Sequence, residues 1–553
     1  MQFPWQTGTS QSELDQTAWP DMDDDLLEIF RQSGEQCDVP EGHVLFEVGQ
    51  ESYDLVVLVA GKLNIIDRTV DRLAAHIDKP AFVGELGMLM NQGTFLACEA
   101  AEPSTVIIVK QSRLAELVAT VPEVADVVVP AFAARRRILI EDGRGGLTLV
   151  GHEKDPSTNA LRAFLSRNKI PHQFVDRDDA AAMADVRENC DLPDSESVVI
   201  TGDGHVLADP DTSEMARALG LWLDVDTEYT YDMVVIGAGP SGLAAAVYGA
   251  SEGLNTLVVE DSAIGGQAGM SSRIENYLGF TTGISGADLA YRGEIQAVKF
   301  GAKIAMPRRA TALREGVCRE DTGVRCLEVD LDGDVTVHTR SVVLANGVQY
   351  RRLPLDRLRE FEGAGVYYAA TELEARFCRK TNAIIVGGGN SAGQAAMFLS
   401  RHSSCTHIVV RNGGLAETMS SYLSDRIDSD ESIDLVTYSE VVELHGDKHL
   451  EAVTLRNCDT GEEKRIETRA LFIMIGAVPY TKWLDGALDL DDQGFVKTGA
   501  AVGQENGFAT SLPGVFAVGD IRSGSVKRVA SAVGEGSVTV SAVHQFIAGL
   551  TQT

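Results

Sequence analysis

Two glycine-rich runs, GAGPSG at Gly237–Gly242 and GGGNSAG at Gly387–Gly393, each follow an apolar stretch and open an alanine-rich one. The order strand, glycine turn, helix suits a dinucleotide pyrophosphate. Backbone can approach the phosphates closely, and a helix N-terminus offers them free N–H groups and the positive end of its dipole. In the first run Gly237 makes the tight turn, Gly239 admits the pyrophosphate and Gly242 lets the helix pack on the strand, with Pro240 and Ser241 between them. Glu260, ending the next apolar run, is placed to accept a hydrogen bond from a ribose hydroxyl. In the second run Gly387, Gly389 and Ala392 hold the three small-residue positions around Gly388, and Asn390 and Ser391 are expected to cap the helix. The strand that follows ends on Arg411 and Asn412 instead of an acid. A guanidinium there suits the 2′-phosphate of NADP, so NADPH is expected, with NADH open as the alternative.

The chain contains no CxxC. Its eight cysteines, Cys37, Cys98, Cys190, Cys318, Cys326, Cys378, Cys405 and Cys458, are scattered without paired spacing. That is neither a disulfide framework nor a zinc site, and no metal is expected. A net charge of −33 over 553 residues, with no basic stripe, argues against nucleic-acid binding. No uninterrupted apolar stretch is long enough to span a membrane, and the polar, acidic N-terminus is unlike a signal peptide, so a cytoplasmic protein is expected.

The length calls for several domains. Residues 1–20 read as a disordered tail. Over 21–142, VPEGHVLFEVGQ, YDLVVLVAGKLNIID and STVIIVK are β-branched runs broken by Gly, Pro and Asp, followed by a helix with a basic cluster at Pro130–Arg137. Over 147–224 the text alternates strand, amphipathic helix, strand, hairpin and closing helix. From 230 onward it becomes the strand–glycine–helix text of doubly wound α/β folds, with the second fingerprint (350–475) inserted between two parts of the first domain (230–349 and 476–553).

GGQAGMSSRIENYLGF at Gly265–Phe280 and PGVFAVGDIRSGSVKRVASAVGEG at Pro513–Gly536 complete a pattern that resembles the low-molecular-weight thioredoxin reductases, over roughly Tyr231–Gly549. The resemblance implies an α/β fold of two Rossmann-like domains, FAD at the outer fingerprint and NADPH at the inner, in a homodimer. It places Gly265, Gly266, Gln267 and Asn276 near the flavin, Gly519 and Asp520 at the ribityl chain, Lys527, Arg528 and Val529 near the isoalloxazine, and Gly476 at the nicotinamide nucleotide. The family's two adjacent arginines and a third nearby are reduced here to Arg411, with Asn412 and Ala416 at the other places. Where the family carries YCATC, this chain reads Tyr368-Ala369-Ala370-Thr371-Glu372, so Ala369 and Glu372 stand at the dithiol positions. Neither can exchange with a disulfide. Cys378, the nearest thiol, reads as a small buried hydrophobe.

Residues 147–224 resemble a thioredoxin or glutaredoxin fold whose CPxC is replaced by Asp155-Pro156-Ser157-Thr158, with Asp155 or Ser157 capping the helix. The β-rich segment, with VGELGMLMNQGTFLACEA, resembles the β-roll of a cyclic nucleotide-binding domain. Gly84, Glu85 and Leu86 would open its phosphate cassette, Glu85 on a ribose hydroxyl. No Lys or Arg lies between Pro80 and Val109, so the cyclic phosphate lacks its usual cation and normal cyclic nucleotide binding is not expected.

These readings imply an FAD-dependent NAD(P)H oxidoreductase that passes a hydride to flavin and electrons onward to an unidentified acceptor without an internal dithiol. Quinone, oxygen, a redox protein or a thiol-bearing partner stay open as acceptors. A non-catalytic, flavin-bearing regulator and a disulfide reductase working through an isolated cysteine are the alternatives. Hinges are expected near Gln349–Arg352 and Ile475–Pro479.

Overall fold

The computed structural model describes residues 11–550 apart from 51, 69–71, 91, 142–146, 154, 224, 272–273, 275, 319–324, 333, 369, 371, 416–418 and 485. Helix α1, Gln11–Ala18, corrects the expectation of a tail: Leu14 and Ala18 are buried against Ala134 of the long helix α2, Pro122–Glu141. Only two apolar side chains signal that contact in the sequence, too few to mark a periodic face.

The β-rich segment forms two four-stranded antiparallel sheets. One runs Glu35–Val39, Ser104–Val109, Leu55–Ala60, Ala81–Val83, and the other Val44–Phe46, Ala97–Ala100, Leu63–Asp67, Arg72–Ile77. The alternation of β-branched residues buries one face of each around Phe30, Phe82 and Phe132. Residues Thr148–Ala218 form a second unit, a four-stranded sheet ordered Gln173–Asp176, Thr148–Gly151, Ser197–Ile200, Val206–Ala208. Its first pair is parallel and its hairpin antiparallel. Helix α3, Pro156–Arg167, follows its first strand.

The rest is two α/β units. In the outer one, Thr230–Ile236 lies between the parallel strands Thr256–Val259 and Val335–Leu344, and Val515–Ala517 returns to the same sheet. Helices α4, Pro240–Ser251, and α5, Gly286–Lys299, cover it. In the inner one, Asn382–Val386 pairs in parallel with Cys405–Val409 and Glu463–Ile473, and helix α6, Asn390–Leu399, follows the glycine turn. The expected hinges coincide with a two-stranded antiparallel ribbon, Val348–Tyr350 on Ala477–Pro479, where the chain crosses out of and back into the outer unit.

The N-terminal units are docked on this frame. Tyr291 and Ile295 of α5 are part of the first unit's core, and Phe95 of the first unit is part of the second unit's core. Contrary to the reading of unpaired cysteines, Cys318 and Cys326 are disulfide-bonded, brought together by the antiparallel strands Ala310–Val317 and Arg325–Leu331. Register, invisible to spacing rules, makes that pair. Among the described residues no single helix is long and apolar enough to cross a membrane.

Candidate active site

Both fingerprints open on one cleft of about 1520 Å³. At the outer one, Gly237 holds φ +103°, and a Cβ there would lie 2.6 Å from the Ala345 carbonyl oxygen, so only glycine fits. A Cβ on Gly242 would lie 1.8 Å from the Gly237 oxygen, which lets α4 pack directly on the turn. Gly239, by contrast, has open space where its Cβ would be and caps α4 with no side-chain hydrogen bond. The first N–H groups of α4 therefore face the cleft without an internal acceptor, the geometry a pyrophosphate completes.

The buried Glu260 carboxylate lines this end. It accepts from the backbone N–H of Ala238 at 2.8 Å, Ser262 at 3.0 Å and Ala263 at 3.2 Å. Burial raises its pKa against the pull of those amides. Pro240, Ser241, Gly266, Gln267, Asn276, Asp520, Lys527, Arg528 and Val529 also line the cleft. Gln267 donates to the Val348 carbonyl at 2.7 Å, tying the site to the ribbon. Burial raises the pKa of Asp520, with Lys527 opposing. Gly242, Gly265 and Gly519 are not in the lining; they are buried packing positions, Gly519 donating to Glu535 at 2.7 Å. Asn346, within the Ala345-Asn346-Gly347 turn, donates to the Tyr480 carbonyl at 2.8 Å.

At the inner fingerprint Gly387, Gly388, Gly389, Asn390, Ser391, Arg411 and Gly476 line the same cleft, while Ala392 is buried behind it. The expectation that Asn390 or Ser391 caps α6 is corrected. The cap is Gly389 without a side-chain bond, and Asn390 Oδ1 instead accepts from Ser420 N–H at 2.8 Å. That leaves the α6 amides open to phosphate and uses Asn390 to anchor the next loop. Arg411 is exposed at the cleft, beside Asn412; Ala416 lies outside the described residues.

Of the dithiol positions, Ala369 lies outside the described residues and Glu372 begins a short helix, Glu372–Ala375. Cys378 is fully buried, its Sγ 3.6 Å from the Glu374 carbonyl oxygen, and burial pushes its thiol up to about 12. A thiol so rarely ionised is a poor nucleophile. In the second unit Asp155 caps α3, accepting from Thr158 N–H at 2.7 Å and from the Ser157 hydroxyl, with Pro156 in the first turn.

At the cassette positions the carboxylate already has partners within the chain. The Glu85 carboxylate accepts from Gly87 N–H at 2.8 Å and from Arg136 Nε at 2.6 Å, and Arg136 also donates to Gln92 at 3.0 Å. Arg136 is 1% exposed and Leu86 is fully buried, and a Cβ on Gly84 would touch Met88 and Phe132 at 3.0 Å. The cation missing from the cassette sequence comes from α2, within the Pro130–Arg137 cluster, and occupies the carboxylate a ribose would need. Beside it, Arg135 donates to the carbonyls of Ala18, Phe82 and Gly84, which satisfies a buried guanidinium.

The sequence reading also missed Ala163 and Arg167, which line the cleft from α3. No local motif marks them, since their role comes from docking. His152, Asp176 and Asp178 place ligand atoms within 4.8 Å of one another on the second unit, at the surface, with no further observation to make them a metal site.

A model of the pyridine nucleotide-disulphide oxidoreductase family matches residues 231–536. The chain belongs to this family. It is similar to thioredoxin reductases of Streptomyces clavuligerus (33% identical over 332 residues, 58% of this chain and 95% of the relative) and Bacillus subtilis (32% over 327 residues, 59% and 98%). Among solved structures, Lactococcus lactis thioredoxin reductase in its FR conformation aligns with a TM-score of 0.52 at 28% identity, covering 58% of this chain and all of that one. The C-terminal part of the chain is thus a thioredoxin reductase-like oxidoreductase frame whose cofactors are FAD and NADPH. The open α4 and α6 amides and the Glu260 carboxylate in one cleft fit those two dinucleotides.

Proposed function

We propose that this protein is an NADPH-dependent flavoprotein oxidoreductase that moves electrons from NADPH through FAD to an acceptor without any thiol relay of its own. The observation that carries it is the pairing of two uncapped glycine turns on one cleft with a dithiol position held by Ala369 and Glu372. FAD, when bound, supplies the two-electron chemistry. The chain's own groups bind and orient. The α4 amides and Glu260 hold the outer dinucleotide, and Asp520, Lys527, Arg528 and Val529 take its flavin end. The α6 amides and Arg411 hold the inner one, the guanidinium favouring a 2′-phosphate and therefore NADPH over NADH.

The domains follow. Residues 21–142 are a cyclic nucleotide-binding-like roll that binds no cyclic nucleotide, because Arg136 holds Glu85. Residues 147–224 are a thioredoxin-like unit without thiols. Residues 230–349 with 476–553 bind FAD, 350–475 bind NADPH, and the frame is a homodimer. The acceptor is a quinone, oxygen, or a redox protein that brings its own cofactor or thiols. A disulfide reductase working through Cys378 is disfavoured by that thiol's burial.

A regulatory reading also has support, since the first unit is seated on α5 of the FAD-binding unit through Tyr291 and Ile295. Rapid anaerobic mixing separates the two. NADPH should bleach the bound flavin quickly and NADH more slowly, followed by turnover with an acceptor from a screen that includes thioredoxin. Absent bleaching by both nicotinamides would overturn the oxidoreductase reading and leave the regulatory one.

A further inference from the structure

Helix α3 of the second unit reaches both dinucleotide-binding units. At its C-terminal end Asn168 donates to the Ser262 carbonyl at 3.1 Å, and Ser262 is one of the residues whose N–H holds Glu260. At its N-terminal end it comes close to the inner unit: a Cβ placed on Gly363 would be 3.9 Å from both the Pro156 carbonyl oxygen and Asn159 Cβ. Between these ends Ala163 and Arg167 line the cleft itself. Charge crosses the same seam. Burial pushes the Tyr350 phenol up to about 12, and Arg167 opposes that rise. Burial lowers the Arg162 guanidinium, and Arg376 of the inner unit lowers it further.

The chain itself joins the two dinucleotide units only through the ribbon Val348–Tyr350 and Ala477–Pro479. Two adjacent crossings define an axis and leave rotation about it free. A twelve-residue helix, about 18 Å long, that is hydrogen-bonded to one unit at its C-terminal end and comes close to the other at its N-terminal end restrains the pair away from that axis. Hydride transfer needs the reacting rings held within a few tenths of an ångström of a productive approach, and a rotation that serves no second chemistry only loosens that geometry.

We propose that α3 is a positioning element for the oxidoreduction, a splint that holds the FAD- and NADPH-binding units in one relative orientation, with Asn159, Arg167 and Asn168 as its positioning residues. The inference rests on the NADPH-to-flavin reading above. It gives the thioredoxin-like unit a role that needs no thiol: it acts on the reaction by fixing the cleft.

The test is the double variant Asn159→Cys/Gly363→Cys in the full-length flavoprotein. A Cβ separation of 3.9 Å lies within the range a disulfide requires, and because Gly363 holds φ +82°, where a side chain is strained, the flavin content of the reduced double variant is compared with the parent's first. Mild oxidation should form the cross-link, identified by peptide mass against the native cysteines, and flavin reduction by NADPH should agree to within about twofold before and after bonding. A cross-link that slows reduction by about tenfold or more, with recovery on adding reductant, would show that the units must part during turnover and would overturn the splint. Failure of two reactive thiols to join in a double variant that keeps the parent's flavin content would overturn the placement of α3 beside the inner unit.

In a second variant, Arg167→Ala/Asn168→Ala, the splint predicts a fall in the hydride-transfer rate of about tenfold with flavin content and KM for NADPH held, partly rescued by Arg167→Lys. An unchanged rate would count against it. Cross-link yield is read without turnover, so a parent enzyme that NADPH cannot reduce would sink the functional reading and leave the contact to be judged by itself.

Discussion

Glu85 and Asp155 stand at two positions where the N-terminal units resemble working sites, and in both the carboxylate is answered from within the chain. Glu85 meets the guanidinium of Arg136, 1% exposed, inside the first unit's core. Asp155 meets the N–H of Thr158 and the hydroxyl of Ser157 at a helix end open to water. The chemistry of filling is similar and the energetics are not. Removing one partner of a buried pair leaves a charge with no compensation, whereas water replaces a lost cap. The first unit is therefore committed to its self-filled form. The second could be altered cheaply, and its position on the cleft is the feature that matters.

Breaking the buried pair should have the largest effect. Arg136→Met should destabilise by about 3–5 kcal/mol in denaturant unfolding, because Glu85 loses its cation. Adding Glu85→Gln should recover a good part of that loss, and a single variant that costs under about 1 kcal/mol would show that the pair is not what holds the unit.

Glu294, 7% exposed on α5 at the junction of the units, sharpens the same contrast through pH. Burial raises it from 4.5 to about 8, while Arg136 and Lys169 hold it down. Between those two pH values the folded chain keeps a proton that the unfolded chain releases. Stability should therefore fall with rising pH, by up to about 1.4 kcal/mol per unit, and level off above about 8. Glu294→Gln should flatten that slope in unfolding midpoints measured across the range.

Asp155→Ala should cost only about 1 kcal/mol. Burial works to raise this carboxyl, but its hydrogen bonds to Ser157 and Thr158 prevail and lower it. Its stabilisation is thus present above the unfolded carboxylate pKa and disappears as pH falls through the lower folded value. A loss as large as that for Arg136→Met would erase the distinction between the two sites.

The fingerprints were legible because their chemistry is local. Gly237, Gly239 and Glu260 act within one strand–turn–helix–strand unit, and Gly387 and Gly389 within another. The ribbon Val348–Tyr350 on Ala477–Pro479 was legible for the same reason, as the points where the insertion begins and ends. Arg136 was not, although its basic cluster stood out, because a helix sequence does not say which carboxylate its buried face will meet. Ala163 and Arg167 carry no signal at all, since they enter the cleft only when α3 docks. The α6 cap was misread because Asn390 had two satisfactory acceptor roles, and the Ser420 loop took the one that local rules ignore. Helix α1 was missed because its buried face is two residues wide.

The most direct test of the central claim is an anaerobic titration of the flavoprotein with NADPH, following flavin absorbance and free thiols together. With electrons entering a flavin that has no dithiol behind it, one NADPH per FAD should complete the bleaching and no new thiol should appear. Bleaching that requires a second equivalent, with thiols appearing in step, would reveal a disulfide in the electron path and contradict the account.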